Sequence, residues 1–244
     1  MNPVIEIKDL IIEYGKKPHV KRAVNGLSFS VNKGEIFGFL GPNGAGKTST
    51  IKTLLGLIVP SSGSVALFGK PITPASRSAV GFMPETANYY WYLTPRELLA
   101  FYGQLFGIKR AELAKKIDDL LALVGLVEAG NSLMKTFSKG MFQRVSFAQS
   151  LINDPEVLIL DEPVTGLDPI ARMKMRDVLI NLKKQGATIF FSSHELSEVE
   201  TISDRVVILK NGKLLKEASP KDIIDEKGSH VSLEKYFFDL VREN

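Results

Sequence analysis

The residue pattern predicts an α/β fold with a largely parallel sheet and a helical subdomain inserted into it. Three observations carry that expectation. Short apolar runs of strand type alternate with helix-type stripes toward both ends of the chain. A stretch from about 85 to 152 carries helix periodicity almost alone. A glycine-rich turn joins a buried-strand run, Ile36–Leu40, to a helix expected from Gly46 to about Leu57.

Taken in order, strand runs are expected at Val4–Ile7, Leu10–Ile12 and Val24–Val31, broken by Gly15, Pro18 and Gly26, with another ending near Val80–Met83. Within the helical stretch, Thr94-Pro95-Arg96-Glu97 has the spacing of a capping box with proline at the first helical position. Leu98, Phe101, Tyr102, Leu105 and Phe106 then fall on one helix face, expected to turn inward. Leu113, Ile117, Leu120, Leu121 and Val124 repeat the pattern before Gly125. Buried strands are expected again at Val157–Leu160 and Thr188–Phe191, with Met175, Val178, Leu179 and Leu182 striping the helix between them. Asp204–Lys210, Asn211-Gly212 and Lys213–Lys216 read as a hairpin on a type I′ turn. Two capped helices are expected to close the chain. One follows Ser219-Pro220; the other starts at Ser232, with Leu233, Tyr236, Phe237, Leu240 and Val241 inward.

Composition excludes whole classes of chemistry. The chain of 244 residues has no cysteine, so disulfides, thiolate metal sites and a cysteine nucleophile are out. Three scattered histidines, His19, His194 and His230, make no zinc site by themselves. Lys and Arg number 31 against 27 Asp and Glu; the charge of +4 admits anionic ligands or a membrane surface without demanding either. The start, Met1-Asn2-Pro3-Val4-Ile5-Glu6, lacks the apolar block of a signal peptide. No apolar run approaches the roughly 20 residues of a membrane span. A soluble, globular, cytoplasmic chain is expected, with any membrane role supplied by a partner.

Gly41-Pro42-Asn43-Gly44-Ala45-Gly46-Lys47-Thr48 fits G-x-x-x-x-G-K-[ST] between a strand and a helix. Glycines let successive N–H groups close around a polyphosphate, and the helix behind adds its positive end. Lys47 is placed for the β and γ oxygens, and the Thr48 hydroxyl for Mg²⁺. A second cluster lies 114 residues beyond Lys47, where the run Val157–Leu160 delivers Asp161 and Glu162 at its carboxyl end. Asp161 is read as an Mg²⁺ holder and Glu162 as the base that orients and deprotonates an attacking water. His194 ends another strand after Ser192-Ser193, positioned for a γ-phosphate hydrogen bond. Ser138 and the Gly140 amide, at the start of a further helix, form a second anion site.

These motifs resemble the nucleotide-binding subunit of ATP-binding cassette (ABC) transporters over essentially the whole length. The discriminating segment is Phe137-Ser138-Lys139-Gly140-Met141-Phe142-Gln143-Arg144, which looks like the family's signature and precedes Asp161 by 23 residues counted from Ser138. The resemblance implies a single domain over 1–244: a P-loop NTPase core (about 1–84 and 153–212) with an N-terminal antiparallel β subdomain, an inserted α-helical subdomain (about 85–152), and a C-terminal hairpin and helices (213–244). It implies ATP and Mg²⁺ as cofactors, adenine stacking on Tyr14, and a phosphate-binding run that extends to Ser49. It also implies a head-to-tail dimer in which Ser138 and Gly140 of one copy close the other copy's ATP. Asp168, in the D-loop-like Val164-Thr165-Gly166-Leu167-Asp168-Pro169, would contact across that interface.

Departures from the family pattern matter too. Lys139 and Met141 replace the signature's usual glycine and glutamine, and Glu85 in Val80-Gly81-Phe82-Met83-Pro84-Glu85 stands where the family has glutamine. Glu85 is read as an Mg²⁺-site residue or as a relay of motion. Together with the Leu93–Glu97 and Ser232-Leu233-Glu234 segments, these departures resemble the subgroup serving ABC-2-type exporters. Tyr89-Tyr90-Trp91-Tyr92 suits either core packing or the surface that faces the membrane subunit. The leading expectation is an ATPase powering export through a separate permease, peripheral on the inner membrane face, with no nucleic acid partner. A soluble ABC ATPase acting on the ribosome or nucleic acid is the alternative. A non-hydrolytic nucleotide-gated module is a third reading, opposed by Lys47, Asp161, Glu162 and His194.

Overall fold

The computed structural model describes residues 3–16, 18–224 and 229–243; Met1 and Asn2 of the start read above lie outside the described residues. Two compact units are present, Met1–Arg77 with Thr188–Asn244, and Ser78–Ala187.

In the first unit the two opening apolar runs belong to one strand, β1 (Pro3–Tyr14). Ile5 and Ile7 are buried on odd positions, Leu10 and Ile12 on even ones. A bulge reconciles them: Asp9 is left-handed (φ 47°) and the register with β2 (Lys21–Asn32) shifts between Ile7 and Leu10. The extra residue flips the strand so that both halves bury their apolar side chains. β1 also pairs with β4 (Ser62–Leu67), and β5 (Lys70–Pro71) completes an antiparallel sheet in the order β2-β1-β4-β5. The sequence reading passes over β4 because Ser62, Gly63 and Ser64 are exposed and show no apolar alternation.

β3 (Ile36–Leu40) is buried at all five positions and lies parallel to both β8 (Thr188–Ser193) and β9 (Arg205–Lys210). Covering on both faces is what a continuous apolar run requires. β9 returns through Asn211 and Gly212, both left-handed as a type I′ turn demands, into β10 (Lys213–Ala218). Phe29 of β2 stacks on Phe37 of β3 and Phe190 of β8, with ring centroids 5.5 and 6.1 Å away. Arg205 lies over the Phe37 ring and donates to Glu35 (2.7 Å) and Glu217. Helix α1 (Lys47–Leu54) stops short of Leu57, because the chain turns through left-handed Gly56. A short α2 (Pro74–Arg77) ends the N-terminal part of this unit. After β8 come α7 (Leu196–Ile202) and, near the C-terminus, α8 (Leu233–Glu243), which buries Leu233 and half-buries Tyr236, Phe237, Leu240 and Val241. The helix expected after Ser219-Pro220 is only a 3-10 turn, Pro220–Asp222, before Ile224 bridges to His230.

In the second unit β6 (Val80–Met83) and β7 (Val157–Asp161) run parallel. Helices α3 (Pro95–Leu105), α4 (Arg110–Leu123) and α5 (Lys139–Ser150) pack on one another. The stretch is less helical than its periodicity implies: 84–94 and 124–138 hold loops and one 3-10 turn, Met134–Thr136. The inward face expected of α3 is also corrected. Leu98 and Leu99 are buried, whereas Phe101, Leu105 and Phe106 are 47%, 67% and 41% exposed. Gly103 explains the rotation, since any Cβ there would meet Leu113 Cδ1 at 2.3 Å, and α4 settles against that bare side. Long α6 (Pro169–Lys184) buries Met175 and Leu179 and leaves Val178 and Leu182 half-buried.

Candidate nucleotide site

In the first unit β3 delivers Gly41 directly into a loop wrapped against its own scaffold. A Cβ on Gly41 would lie 2.7 Å from Leu209 O, and one on Gly46 would lie 2.6 Å from Ala23 O. Gly46 is left-handed (φ 104°) and caps α1. Ala45 N donates to Pro42 O (3.1 Å), Gly212 N donates to Ala45 O (3.1 Å), and Asn25 N donates to Gly212 O (2.8 Å). The hairpin turn therefore backs the loop from behind. Lys47 is buried, with Nζ donating to Gly41 O at 2.7 Å. A fixed ammonium over a glycine loop at a helix start offers the donors and positive charge that a polyphosphate would need. Pro42, Asn43, Gly44 and Thr48 are exposed on its open side.

Two more residues of the sequence reading lie in this unit. Tyr14, 42% exposed, donates from its hydroxyl to Ser49 Oγ (3.1 Å), tying the expected adenine platform to the end of the phosphate run. Register does the rest: Leu40 pairs with Ser193, so exposed His194 leaves β8 at the same sheet edge where the loop leaves β3.

The second unit holds the acids. β7 is buried throughout, and Asp161 and Glu162 at its end are 4% and 5% exposed. Glu162 adopts a left-handed backbone (φ 55°), which costs a non-glycine residue about 1–2 kcal/mol. Its carbonyl accepts from Thr165 N (3.2 Å) and from the Gln143 side chain (3.0 Å). Gln143 lies in the signature-like segment, but the sequence assigns it no role of its own. Its burial mid-helix carries no chemical signal until its bonds are seen.

Ser138 caps α5, its Oγ accepting from Met141 N at 3.3 Å, and Gly140 sits close enough that a Cβ would meet Gly166 O at 3.3 Å. Asp168 caps α6 through Ala171 N (2.9 Å), a bond that holds its carboxyl below the usual aspartate range. Glu85 is exposed just past β6. The aromatic run divides. Tyr89 is half-buried, donates to Gln149 Oε1 (2.9 Å) and lies 3.1 Å from Ser146 Oγ, and burial pushes its phenol above the usual range. Tyr90, Trp91 and Tyr92 point outward.

Comparison with known proteins places these halves in context. The ABC transporter family model matches residues 24–165. The chain belongs to the ABC transporter family. An uncharacterized ABC transporter ATP-binding protein of Synechocystis sp. is 46% identical over 229 residues, 89% of this chain and 65% of the relative. A fluoroquinolones export ATP-binding protein of Mycobacterium tuberculosis is 39% identical over 223 residues, 90% of this chain and 72% of the relative. The chain thus spans 65% and 72% of the length of these two relatives. A solved ATP-binding subunit of an ABC transporter superposes with a TM-score of 0.87 at 32% identity, covering 98% of this chain and 99% of that one. A dimeric ATP-binding cassette in a post-hydrolysis state, bound to ADP and Pi, matches with a TM-score of 0.82 at 22% identity over 90% of this chain and 100% of that one, which establishes the shared fold. Within the ABC family the chain is an ATP-binding subunit, and its fold is the family's: mixed α/β, with an antiparallel β sheet and parallel core strands. Among the described residues no helix is long and apolar enough to cross a membrane.

Proposed function

We propose that this ABC ATPase hydrolyses Mg²⁺-bound ATP to drive export through a separate membrane permease, on whose cytoplasmic side it sits. The observation that carries the reading is the glycine cradle, in which Lys47 is held buried on Gly41 O and two glycines tolerate no side chain. Gly41–Thr48 and Ser49 take the phosphates, Tyr14 the adenine, and Lys47 neutralises the β and γ oxygens. The hydroxyl of Thr48 and the carboxylates of Asp161 and Glu85 are hard oxygen donors, the set that suits Mg²⁺. When bound, that ion supplies charge neutralisation on the phosphates.

Glu162 accepts a proton from water as the water oxygen bonds to the γ-phosphorus. The bond from that phosphorus to the β–γ bridging oxygen breaks, and ADP leaves with the electron pair. His194 donates from its ring N–H to a γ oxygen and stabilises the charge that develops there. A second copy supplies Ser138, Gly140 and Asp168 in a two-fold sandwich with two ATP sites. The exposed Tyr90, Trp91 and Tyr92, with Phe101 and Leu105 of α3, suit the permease as an aromatic anchor cluster. Export follows the relative whose name carries that direction.

The test is Glu162→Gln. ATP binding is retained, phosphate release falls by about 100-fold or more, and light scattering finds a stable dimer under saturating ATP. Near-normal phosphate release removes Glu162 from its role, and a monomer under those conditions removes the sandwich.

A further inference from the structure

We infer that Gln143 is a positioning residue for Glu162, through which the helix that begins at Ser138 sets the aim of the catalytic carboxylate. The inference rests on the reading of Glu162 as the base. Gln143 is 4% exposed, and its side-chain nitrogen donates to two successive carbonyls, Glu162 O at 3.0 Å and Pro163 O at 3.3 Å. With carbonyls on both sides, only the NH₂ group of the amide can face them.

Those two carbonyls belong to the turn in which Glu162 is held left-handed. Strain of this kind persists only where the surroundings over-determine it. Thr165 N closes the turn on Glu162 O at 3.2 Å, and the Gln143 amide takes the remaining acceptor position. The rotation of the turn is thereby fixed, and with it the direction in which the Glu162 side chain leaves β7.

Gln143 rides on α5, whose capping residue Ser138 lies five positions earlier on the same rigid helix. In the proposed sandwich the start of α5 meets the nucleotide bound by the other copy, while Glu162 serves the nucleotide of its own copy. Gln143 therefore links the two nucleotides through one chain. A change at one site tilts α5 and re-aims the base at the other.

Gln143→Met keeps length and bulk and removes both donors. In this variant kcat for ATP falls about 10- to 100-fold, as expected of a misplaced base, while KM changes less than about twofold. The Hill coefficient for ATP drops toward one. Added to Glu162→Gln, the substitution leaves the ATP-dependent dimer intact. Gln143→Asn, whose shorter amide cannot span both carbonyls, shows the same split and serves if the methionine variant does not fold. A folded Gln143 variant with wild-type kcat, or one in which KM rises as far as kcat falls, overturns the inference. Glu162→Gln run alongside separates the failures. If it is inactive while Gln143→Met is not, Gln143 alone is dismissed; if it turns over normally, the base assignment itself has gone.

Discussion

Gly46 shows how much of the phosphate loop rests on what a single position lacks. Its backbone is left-handed and its missing side chain leaves room for Ala23 O. Gly44 in the same loop is also left-handed but has open space around it. Gly46→Ala therefore carries both backbone strain of about 1–2 kcal/mol and a collision, whereas Gly44→Ala carries the strain alone. Denaturant unfolding combined with ATP titration checks this: both variants lose stability, and Gly46→Ala loses more stability and more ATP affinity. The motif made both glycines legible in the sequence, because the spacing to Lys47 and Thr48 is a chemical requirement. It could not rank them, since the ranking depends on a carbonyl in a distant strand. Glu162 was legible in the same partial way. A carboxylate at the end of a buried run announces itself, but the left-handed turn that aims it leaves no mark in residue type.

At the scale of elements, the caps at Thr94 and Asp168 and the buried face of α4 follow the sequence pattern, whereas the face of α3 and the helix expected after Ser219-Pro220 do not. The Thr94–Glu97 box forms in both directions, Thr94 Oγ1 accepting from Glu97 N and the Glu97 carboxylate from Thr94 N. Asp168 caps α6 as its place before Pro169 implies. Caps are local, so a few adjacent residues decide them. The buried face of α3 depends on which neighbour arrives, and Gly103 admits α4 on a side the apolar stripe did not mark. β4 went unread for a related reason, since its place in the sheet is secured by pairing with β1 rather than by its own side chains. The Asp168 cap carries a pH signature. Its carboxyl is held low when folded, chiefly by the Ala171 N–H, so the cap stabilises fully above the unfolded aspartate value of about 3.9 and is lost as pH falls through the folded value. Thermal unfolding of Asp168→Ala should show a lower midpoint than wild type at pH 7, and the gap should close in strong acid.

For the whole molecule the exposed aromatic and leucine side chains of the second unit are the feature a lone globule has no use for. Tyr90, Trp91, Tyr92 and Leu105 are each more than half exposed. From the sequence the aromatic run read equally well as core or interface, because rings serve both, and only Tyr89 went inward. Leu105→Glu places a charge in that surface without touching the nucleotide residues. The isolated variant should fold and hydrolyse ATP as wild type does. Its recovery with the membrane fraction of cells should fall about 30-fold if Leu105 is an anchor worth about 2 kcal/mol. Wild-type recovery would move the permease to another face.

The corner at Asn211-Gly212 gives the C-terminal third a stake in the shape of the glycine loop. Gly212 grips Ala45 and Asn25 through its own amide and carbonyl, and any side chain there would run into Ala23 O at 2.7 Å. A nick, an inserted loop or a shortened tail at that bend acts on the glycine loop from behind, as surely as a substitution in the motif itself.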